Sequence, residues 1–329
     1  MEHGARTTSS VALVFPGQGS QFVGMGRDIH DASPAARAVY DRAEEALGLD
    51  IRRLCFEGTE DALNDTINAQ PALLTTSIAS LEALRERLAA EGIELSARYA
   101  AGHSLGQYSA LVAAGALELG QGVQLVRERG RLMKESGEQN PGGMAAIIGL
   151  DDAALDKIIA QAQAQGIVCP ANYNSPGQIV ISGDIVALSA AMQLAVTEGA
   201  KRVVRLAVSI GAHSPLMQRA ADQFSVAICR LNLQDARIPV VSNVTAQALT
   251  SAEEIRIDLS DHITRSVRWV QSVSAMVSGG ATIFVELGPG QVLSGLVKRI
   301  SREVEALSIG DMKSIEKYLP TFAEAARRK

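Results

Sequence analysis

The sequence predicts an α/β protein with a parallel sheet covered by helices and a second βαββαβ unit inserted into it. Three observations support this fold class. Short apolar runs alternate with helical patterns, a Gly-x-Ser-x-Gly pentapeptide separates a strand from a helix, and the middle of the chain has a strand and helix order of its own. With 329 residues, of which 47% are hydrophobic, the chain can bury a core of this size.

The first part of the body begins with a predicted buried strand. Val11–Phe15 is uninterrupted apolar sequence, and residues 16–21 are rich in glycine, proline and polar residues that end strands. A helical pattern follows over residues 71–90. The alternation of strand and helix indicates a parallel sheet.

The pentapeptide Gly102-His103-Ser104-Leu105-Gly106 follows a predicted strand over residues 98–101 and precedes a predicted helix over residues 105–117. Composition alone produces such a pentapeptide in roughly one chain in ten of this length, so the context decides its meaning. Glycines on both sides let a serine stand on a sharp turn, and the helix N-terminus favours developing negative charge. Ser104 is therefore a candidate nucleophile.

The middle of the chain predicts a ferredoxin-like unit. The predicted elements are strand 144–150, helix 152–165, strand 166–170, strand 178–182, helix 185–198 and strand 201–208. We predict that residues 141–207 form a subdomain inserted into an α/β body made of residues 1–140 and 208–329. A late strand over residues 282–287 returns to the larger sheet.

Composition limits the possible partners and sites. The net charge of −5 argues against a nucleic-acid binder, and no apolar run reaches the length needed to cross a bilayer. Since the N-terminus has no signal-peptide core, we expect a cytoplasmic protein, without membrane association. The dispersed histidines and cysteines have no metal-ligand spacing, and no dinucleotide or P-loop motif occurs, so no metal and no cofactor are predicted.

A serine nucleophile needs a base, and histidine titrates in the right range. Of the five histidines, His3 lies in a terminal tail, His30 in a polar stretch, and His103 adjoins Ser104 but would point in another direction. His213 and His262 remain. His213 lies between a predicted strand and a helix, where α/β folds place catalytic loops, and is the candidate base.

Seven motifs follow one another along the chain, and their order is typical of one family. They are Phe15-Pro-Gly-Gln-Gly-Ser-Gln21, Gly102-His-Ser-Leu-Gly106, Arg129-Gly130-Arg131-Leu132-Met133, Asn172-x-Asn174-Ser-Pro-Gly-Gln178, His213-Ser214-x-x-Met217, Val267-Arg268-Trp269 and Glu286-x-Gly288-Pro-Gly290. From about residue 11 to 311 the chain resembles the malonyl-CoA:acyl carrier protein transacylases. That resemblance implies an α/β-hydrolase-like body with an inserted ferredoxin-like subdomain.

The resemblance also implies a two-step transfer and the residues that perform it. Ser104, with His213 as general base, would take a malonyl group from coenzyme A as an ester and pass it to the phosphopantetheine thiol of acyl carrier protein. The backbone amides of Leu105 and Gln18 would hold the oxyanion. Arg129 would bind the malonyl carboxylate with two parallel hydrogen bonds.

Three positions depart from the family pattern. His262 replaces a glutamine whose backbone carbonyl orients the catalytic histidine, and the carbonyl survives the change of side chain. Ser266 replaces a proline that often precedes Val-Arg-Trp. Ala212 is small where many relatives carry phenylalanine, which leaves room for a branched group such as methylmalonyl.

Other functions stay open at this point. The chain could be a discrete acyltransferase of a polyketide synthase that uses malonyl or methylmalonyl substrate, a serine esterase or thioesterase, or a non-catalytic subunit that binds carrier protein. For the main interpretation, fatty acid synthesis, we expect a monomer that needs no cofactor beyond the acyl-CoA substrate.

Overall fold

A computed structural model describes residues 6–7 and 10–327 of the chain. The strands are β1 (Arg6–Thr7), β2 (Val11–Phe15), β3 (Ile93–Glu94), β4 (Ala97–Gly102), β5 (Gly142–Ile148), β6 (Val168–Ser175), β7 (Gln178–Asp184), β8 (Arg202–Arg205), β9 (Val240–Val241), β10 (Ala248–Leu249), β11 (Ile283–Leu287) and β12 (Glu305–Ile309). The helices are α1 (Arg27–Ala32), α2 (Pro34–Leu47), α3 (Ile51–Glu57), α4 (Glu60–Asn64), α5 (Thr66–Ala90), α6 (Gly106–Ala113), α7 (Leu119–Gln139), α8 (Asp152–Ala162), α9 (Ile185–Thr197), α10 (Gln218–Cys229), α11 (Ala252–Asp261), α12 (Trp269–Ser278), α13 (Val292–Ile300) and α14 (Met312–Ala325). Short 3₁₀ helices cover Gln163–Gln165 and Pro215–Met217.

The body contains a six-stranded sheet with the order β10-β9-β4-β2-β11-β12. All neighbouring strands are parallel except β9 and β10. Strand β2 is central and fully buried, with Leu13 and Phe15 in the core on one face and Ala12 and Val14 in the core on the other. Because helices cover both faces, this strand is apolar throughout, as the sequence predicts.

The second sheet has four antiparallel strands in the order β6-β7-β5-β8. Helices α8 and α9 pack on it around a separate apolar core. Asp151 and Asp184 cap these helices by accepting hydrogen bonds from backbone amides in the first turn. The βαββαβ order and the ferredoxin-like sheet are confirmed. The division into residues 1–140 plus 208–329 and 141–207 stays a prediction.

Strand β6, at the edge of the small sheet, joins that sheet to the body. The backbone amide of Tyr173 donates to the carbonyl of Val267 at 2.9 Å, and the amide of Val267 donates to the carbonyl of Ala171 at 2.8 Å. The Ser266 hydroxyl donates to the carbonyl of Pro170 at 2.6 Å, so the residue that replaces the family's proline adds a hydrogen bond at this junction. The inserted unit is therefore held beside the body by backbone and side-chain bonds.

Two predicted helices differ from the structure at their ends. Helix α5 begins at Thr66 with Asp65 as its N-cap, so Pro71 lies inside the helix rather than at its start. Helix α6 ends at Ala113 instead of continuing to residue 117, because Gly115 takes a left-handed conformation with φ of 73°. Within residues 6–7 and 10–327, no helix is long and apolar enough to cross a membrane.

Candidate active site

Ser104 stands on a sharp turn between β4 and α6. Its φ of 49° lies in the left-handed region, which strains any residue other than glycine. A Cβ atom at Gly102 would lie 1.9 Å from the backbone carbonyl carbon of Gly106, and a Cβ atom at Gly106 would lie 2.0 Å from the carbonyl oxygen of Phe15. Glycine is therefore required at both positions by the close approach of β2, β4 and α6, and the predicted turn is present.

His213 faces the serine. Its Nε2 atom lies 2.7 Å from the Oγ of Ser104, and its Nδ1 atom lies 2.9 Å from the carbonyl oxygen of Arg265. Because only a protonated Nδ1 can donate to a carbonyl, a neutral ring has Nε2 free to accept the serine proton. The backbone of His213 is also left-handed, with φ of 57°, and its amide donates to the carbonyl of Ile263 at 3.0 Å.

The surroundings of His213 keep the ring uncharged. The pKa of His213 is lowered from 6.5 to about 3. Burial of the ring is the largest cause, and the positive charge of Arg129 is the second. At neutral pH the imidazole is therefore uncharged, and the lone pair of its Nε2 atom is available to the serine hydroxyl.

Arg129, on α7, completes this cluster. Its side chain is 2% exposed, with one terminal nitrogen 3.1 Å from the Oγ of Ser104 and the other 2.9 Å from the Oε1 of Gln70. The guanidinium lies over the ring of Tyr108 at 5.5 Å, and its Nε atom has no partner. Within the part of the chain that the structure describes, no carboxylate pairs with it. A buried cation without an anion is costly, so this site favours a negatively charged ligand beside the serine.

Two backbone amides are free near the turn. The amides of Leu105 and Gln18 have no hydrogen-bond acceptor among the described residues, whereas the amide of Ser104 donates to the Oδ1 of Asn243 at 2.7 Å. A Cβ atom at Gly17 would lie 2.5 Å from the carbonyl oxygen of His103, so glycine there lets the two loops meet. The sequence prediction of Leu105 and Gln18 as oxyanion donors is compatible with this geometry.

The side chain of Gln18 is linked to Arg129 through helix α5. The Gln18 Oε1 atom accepts a hydrogen bond from the Thr66 hydroxyl at 2.9 Å, and that hydroxyl accepts one from the Nε2 of Gln70 at 2.9 Å. Since Gln70 also accepts from Arg129, these side chains form one continuous chain. It connects the turn after β2 to the buried cation.

Two backbone segments face the ring of His213. The Nδ1 atom of His213 lies 2.9 Å from the carbonyl oxygen of Arg265, and the backbone of His262, the predicted orienting residue, also contacts this ring. The sequence did not predict the contact with Arg265. The His262 side chain is fully buried, edge-on to the His213 ring at 5.8 Å between centroids, and 3.4 Å from both Tyr108 Oη and Asn243 Oδ1.

The remaining histidines lie away from the serine hydroxyl or outside the described residues. The Nε2 of His103 lies 2.7 Å from the Oδ1 of Asn174, so this ring points toward the inserted unit. His30 contacts Asp31, and His3 lies outside the described residues. Within the residues that the structure describes, no three histidine, cysteine or acidic side chains are grouped to hold a metal ion.

The sequence gave no indication of Gln70 or Asn243, and it marked Asn174 only as part of a motif, without a role. Gln70 is a polar residue of helix α5, and the side chains next to it in that helix are buried. Asn243 follows strand β9, at the same sheet edge as the serine turn. A buried polar residue in an apolar helix and a polar residue at a strand end are the two signals that could have identified the first two. Ser104, His213 and Arg129, which were predicted, converge on one point.

Comparison with known proteins gives a consistent result. The model of the acyl transferase domain family matches residues 12–327. The chain is 44% identical over 317 residues to the malonyl CoA-acyl carrier protein transacylase of Bacillus subtilis, covering 96% of this chain and 98% of that protein. It is 40% identical over 300 residues to the protein of that name from Escherichia coli K12, covering 91% and 96%.

Solved structures agree with these relatives. The malonyl CoA-acyl carrier protein transacylase of Coxiella burnetii superimposes with a TM-score of 0.91 at 38% identity, over 97% of this chain and 99% of that chain. A malonyl-transacylase solved in complex with its type II polyketide synthase acyl-carrier protein gives 0.90 at 39% identity, over 95% and 99%. The similarity thus covers nearly the whole chain in both sequence and fold.

Proposed function

Because the chain belongs to the malonyl-CoA:acyl carrier protein transacylase family, we propose that it transfers malonyl groups from coenzyme A to acyl carrier protein for fatty acid synthesis. The observation that carries the proposal is the buried, unpaired Arg129 in contact with the hydroxyl of Ser104, which itself contacts His213. A hydroxyl, a base and a buried cation within one hydrogen-bonded cluster suit an acyl donor that ends in a carboxylate.

The first half-reaction loads the enzyme. His213 Nε2 takes the proton of Ser104 as Oγ attacks the thioester carbonyl of malonyl-CoA, and the amides of Leu105 and Gln18 stabilise the resulting oxyanion. The carbon–sulfur bond then breaks, and the protonated His213 gives its proton to the leaving sulfur. Free coenzyme A departs, and a malonyl ester remains on Ser104.

The second half-reaction uses the same groups. His213 takes the proton from the phosphopantetheine thiol of acyl carrier protein as the sulfur attacks the ester carbonyl. The bond between this carbon and Ser104 Oγ breaks, and His213 returns the proton to the serine oxygen. The product is malonyl-acyl carrier protein, and the kinetics are ping-pong.

Arg129 sets the substrate class in this proposal. A guanidinium can bind a carboxylate through two parallel hydrogen bonds, and the buried guanidinium of Arg129 would do so in surroundings of low dielectric constant, where such bonds are strong. An acetyl group offers no carboxylate and would leave the buried cation unpaired. The enzyme should therefore prefer dicarboxylic acyl groups.

A second candidate function is acyl transfer in polyketide synthesis, with malonyl or methylmalonyl substrate. One structural relative is solved with a type II polyketide synthase carrier protein, and Ala212 is a small residue directly before the catalytic base. Ala212 packs against a small cluster with Met144 and Val180 rather than filling the site with a large ring. Comparing malonyl-CoA and methylmalonyl-CoA as donors separates the two candidates.

Release of coenzyme A without an acceptor distinguishes transferase from esterase. The transferase predicts a rapid burst close to one equivalent of coenzyme A, then slow release until acyl carrier protein bearing phosphopantetheine is added. Steady release of coenzyme A and free malonate at the same rate, with no stimulation by the carrier protein, would instead support a serine esterase or thioesterase.

The remaining expectations from the sequence belong to the same proposal. The chemistry requires no cofactor beyond the acyl-CoA substrate. We expect a cytoplasmic monomer that binds no nucleic acid, and light scattering during gel filtration measures its mass directly.

A further inference from the structure

A buried polar network lies behind the serine turn. Asn243, 1% exposed, has its Oδ1 atom 2.7 Å from the backbone nitrogen of Ser104 and its Nδ2 atom 2.7 Å from the carbonyl oxygen of Gly102. One side chain therefore bonds the backbone on both sides of the turn. The orientation of the amide is determined, since a backbone N–H can only donate and a carbonyl can only accept.

Asn243 is itself held by neighbouring side chains. Its backbone amide donates to the Oε1 of Gln107 at 2.7 Å, and the Nε2 of Gln107 donates to Asp258 at 2.6 Å. The other carboxylate oxygen of Asp258 accepts from the hydroxyl of Ser242. All four side chains are buried, and every one of these bonds has a matched donor and acceptor.

The network ends at the serine rather than at the base. In a serine hydrolase triad, a buried carboxylate bonds the catalytic histidine. Here Asp258 bonds Gln107 and Ser242, while the Nδ1 of His213 bonds the carbonyl of Arg265. The buried acid of this site is thus connected to the backbone of the nucleophile.

We propose that Asn243 is a positioning residue for Ser104, and that Gln107 and Asp258 hold Asn243 in place. The proposal rests on the function proposed above, in which Ser104 is the nucleophile. By bonding the Gly102 carbonyl and the Ser104 amide, Asn243 stabilises the left-handed conformation that directs the hydroxyl to His213. It also occupies the amide of Ser104, which leaves the amide of Leu105 as the donor that this turn offers to the oxyanion.

This role predicts a specific kinetic effect of Asn243→Ala. The burst rate of coenzyme A release should fall about 100-fold, because a small displacement of a reacting group has an effect of that size. The KM for malonyl-CoA should change less than about twofold, since Arg129 keeps its bond to Gln70. Asp258→Asn weakens the network farther from Ser104, since Asp258 reaches Asn243 through Gln107. It should lower the burst rate less than Asn243→Ala does.

Asn243→Asp gives a signature that a merely structural role would not. An ionised carboxylate can accept from Ser104 but repels the carbonyl of Gly102, whereas a protonated carboxyl group can do what the amide does. Burial favours the protonated form, and His262, whose Nε2 lies 3.4 Å from the Oδ1 of Asn243, is uncharged because burial lowers its pKa well below the usual value. The ratio of the burst rate of Asn243→Asp to that of the native enzyme should therefore rise at least about threefold when the pH is lowered from about 8 to about 6. The same ratio for Asn243→Ala should not change with pH.

Thr76→Val is the matched control. It removes a buried hydrogen bond of 3.0 Å to Tyr40, away from the serine turn, and should leave the burst unchanged. The proposal is overturned if Asn243→Ala keeps the native burst rate, if only KM changes, or if Thr76→Val loses as much rate. If Asn243→Ala does not fold, Asn243→Asp provides the test. The proposal is then overturned if the burst rate of Asn243→Asp relative to that of the native enzyme does not depend on pH. Absence of any burst in the native enzyme would contradict the proposed function instead.

Discussion

Arg129 is a fully enclosed cation whose recorded partners, within the described residues, are neutral: Gln70, Ser104 and the ring of Tyr108. Burial lowers its pKa, yet an arginine stays protonated at neutral pH. The site therefore favours a ligand that brings a negative charge. In the proposed function, the carboxylate of a malonyl group would supply that charge.

Arg129→Ala should lower kcat/KM for malonyl transfer by about 100-fold, the effect of losing charge-assisted hydrogen bonds worth about 3 kcal/mol. Acetyl transfer should be retained or increased, because the variant no longer buries an unpaired charge. Transfer from both donors is measured by coenzyme A release. Arg131→Ala is the control, since Arg131 lies on the same helix but is only partly buried and pairs with Glu128 and Glu135. Unchanged malonyl kinetics in Arg129→Ala would refute the assignment.

The sequence predicted the residues to which the proposed function assigns chemistry, and it missed side chains that hydrogen-bond to them. Ser104 and His213 could be found because a short motif and the scarcity of histidine mark them, and Arg129 because a family motif contains it. Asn243 and Gln70 act through single hydrogen bonds to residues far away in the chain; Asn243 and Ser104 are separated by 139 positions. Local patterns carry no information about such contacts. The carbonyl of Arg265, which orients His213, was missed for the same reason.

At the scale of elements, the serine turn depends on how closely a helix can approach two strands. The N-terminus of α6 lies against the ends of β2 and β4, and the missing side chain of Gly106 provides the space. Leu105, the proposed oxyanion donor, is the N-cap residue between Ser104 and Gly106. The proposed oxyanion donor is therefore positioned by the same close packing that requires glycine at position 106.

Gly106→Ala should destabilise the protein by about 3 kcal/mol and abolish the burst, because the added carbon would lie 2.0 Å from the carbonyl oxygen of Phe15. Urea unfolding measures the free energy. Gly295→Ala is the matched control: this glycine lies inside α13 with no atom within 4 Å of an added Cβ. It should stabilise the protein by about 0.5 kcal/mol. Equal effects of the two substitutions would contradict this explanation.

The order of strands and helices in the inserted unit followed from the sequence, whereas several elements of the body and some helix ends did not. Strand β2 matches its predicted range because an uninterrupted apolar run has clear limits. Helix α5 starts at Thr66 rather than at the predicted residue 71, because Asp65 supplies the N-cap. The α6 end was placed too far along, since apolar residues continue past Gly115.

At the scale of the whole molecule, the site lies where the two sheets meet. Ser104 follows β4 of the body, while Asn174 of β6 bonds His103 from the inserted sheet. His213 lies in the segment that returns from the inserted unit to α10. Neither sheet alone contains the site, which explains why its residues are spread over the chain.

The buried histidines give the folded protein a characteristic pH dependence. Burial lowers the pKa of His213 to about 3 and that of His262 well below its usual value, so the folded state cannot take up protons that the unfolded chain accepts below about pH 6.5. Their contribution to the free energy of unfolding is complete above that pH and is lost as the pH falls. Asp258 and Glu286, whose pKa values are raised by burial, act in the opposite direction.

His262→Gln isolates one of these contributions. Below about pH 6.5, the free energy of unfolding of the variant should fall less steeply with decreasing pH than that of the native protein, by up to about 1.4 kcal/mol per pH unit. Urea titrations at a series of pH values measure both slopes. Identical slopes would show that His262 is protonated in the folded state.

The most direct test of the whole account is intact mass after mixing the protein with malonyl-CoA. We predict that the native protein gains the mass of one malonyl group, and that the group moves to acyl carrier protein when this is added. Ser104→Ala should gain no mass. Ser109→Ala should be loaded normally, because Ser109 is a buried serine of helix α6 whose hydroxyl has no hydrogen-bond partner. A malonyl group retained by Ser104→Ala, or native enzyme that releases coenzyme A without ever carrying the added mass, would contradict the account.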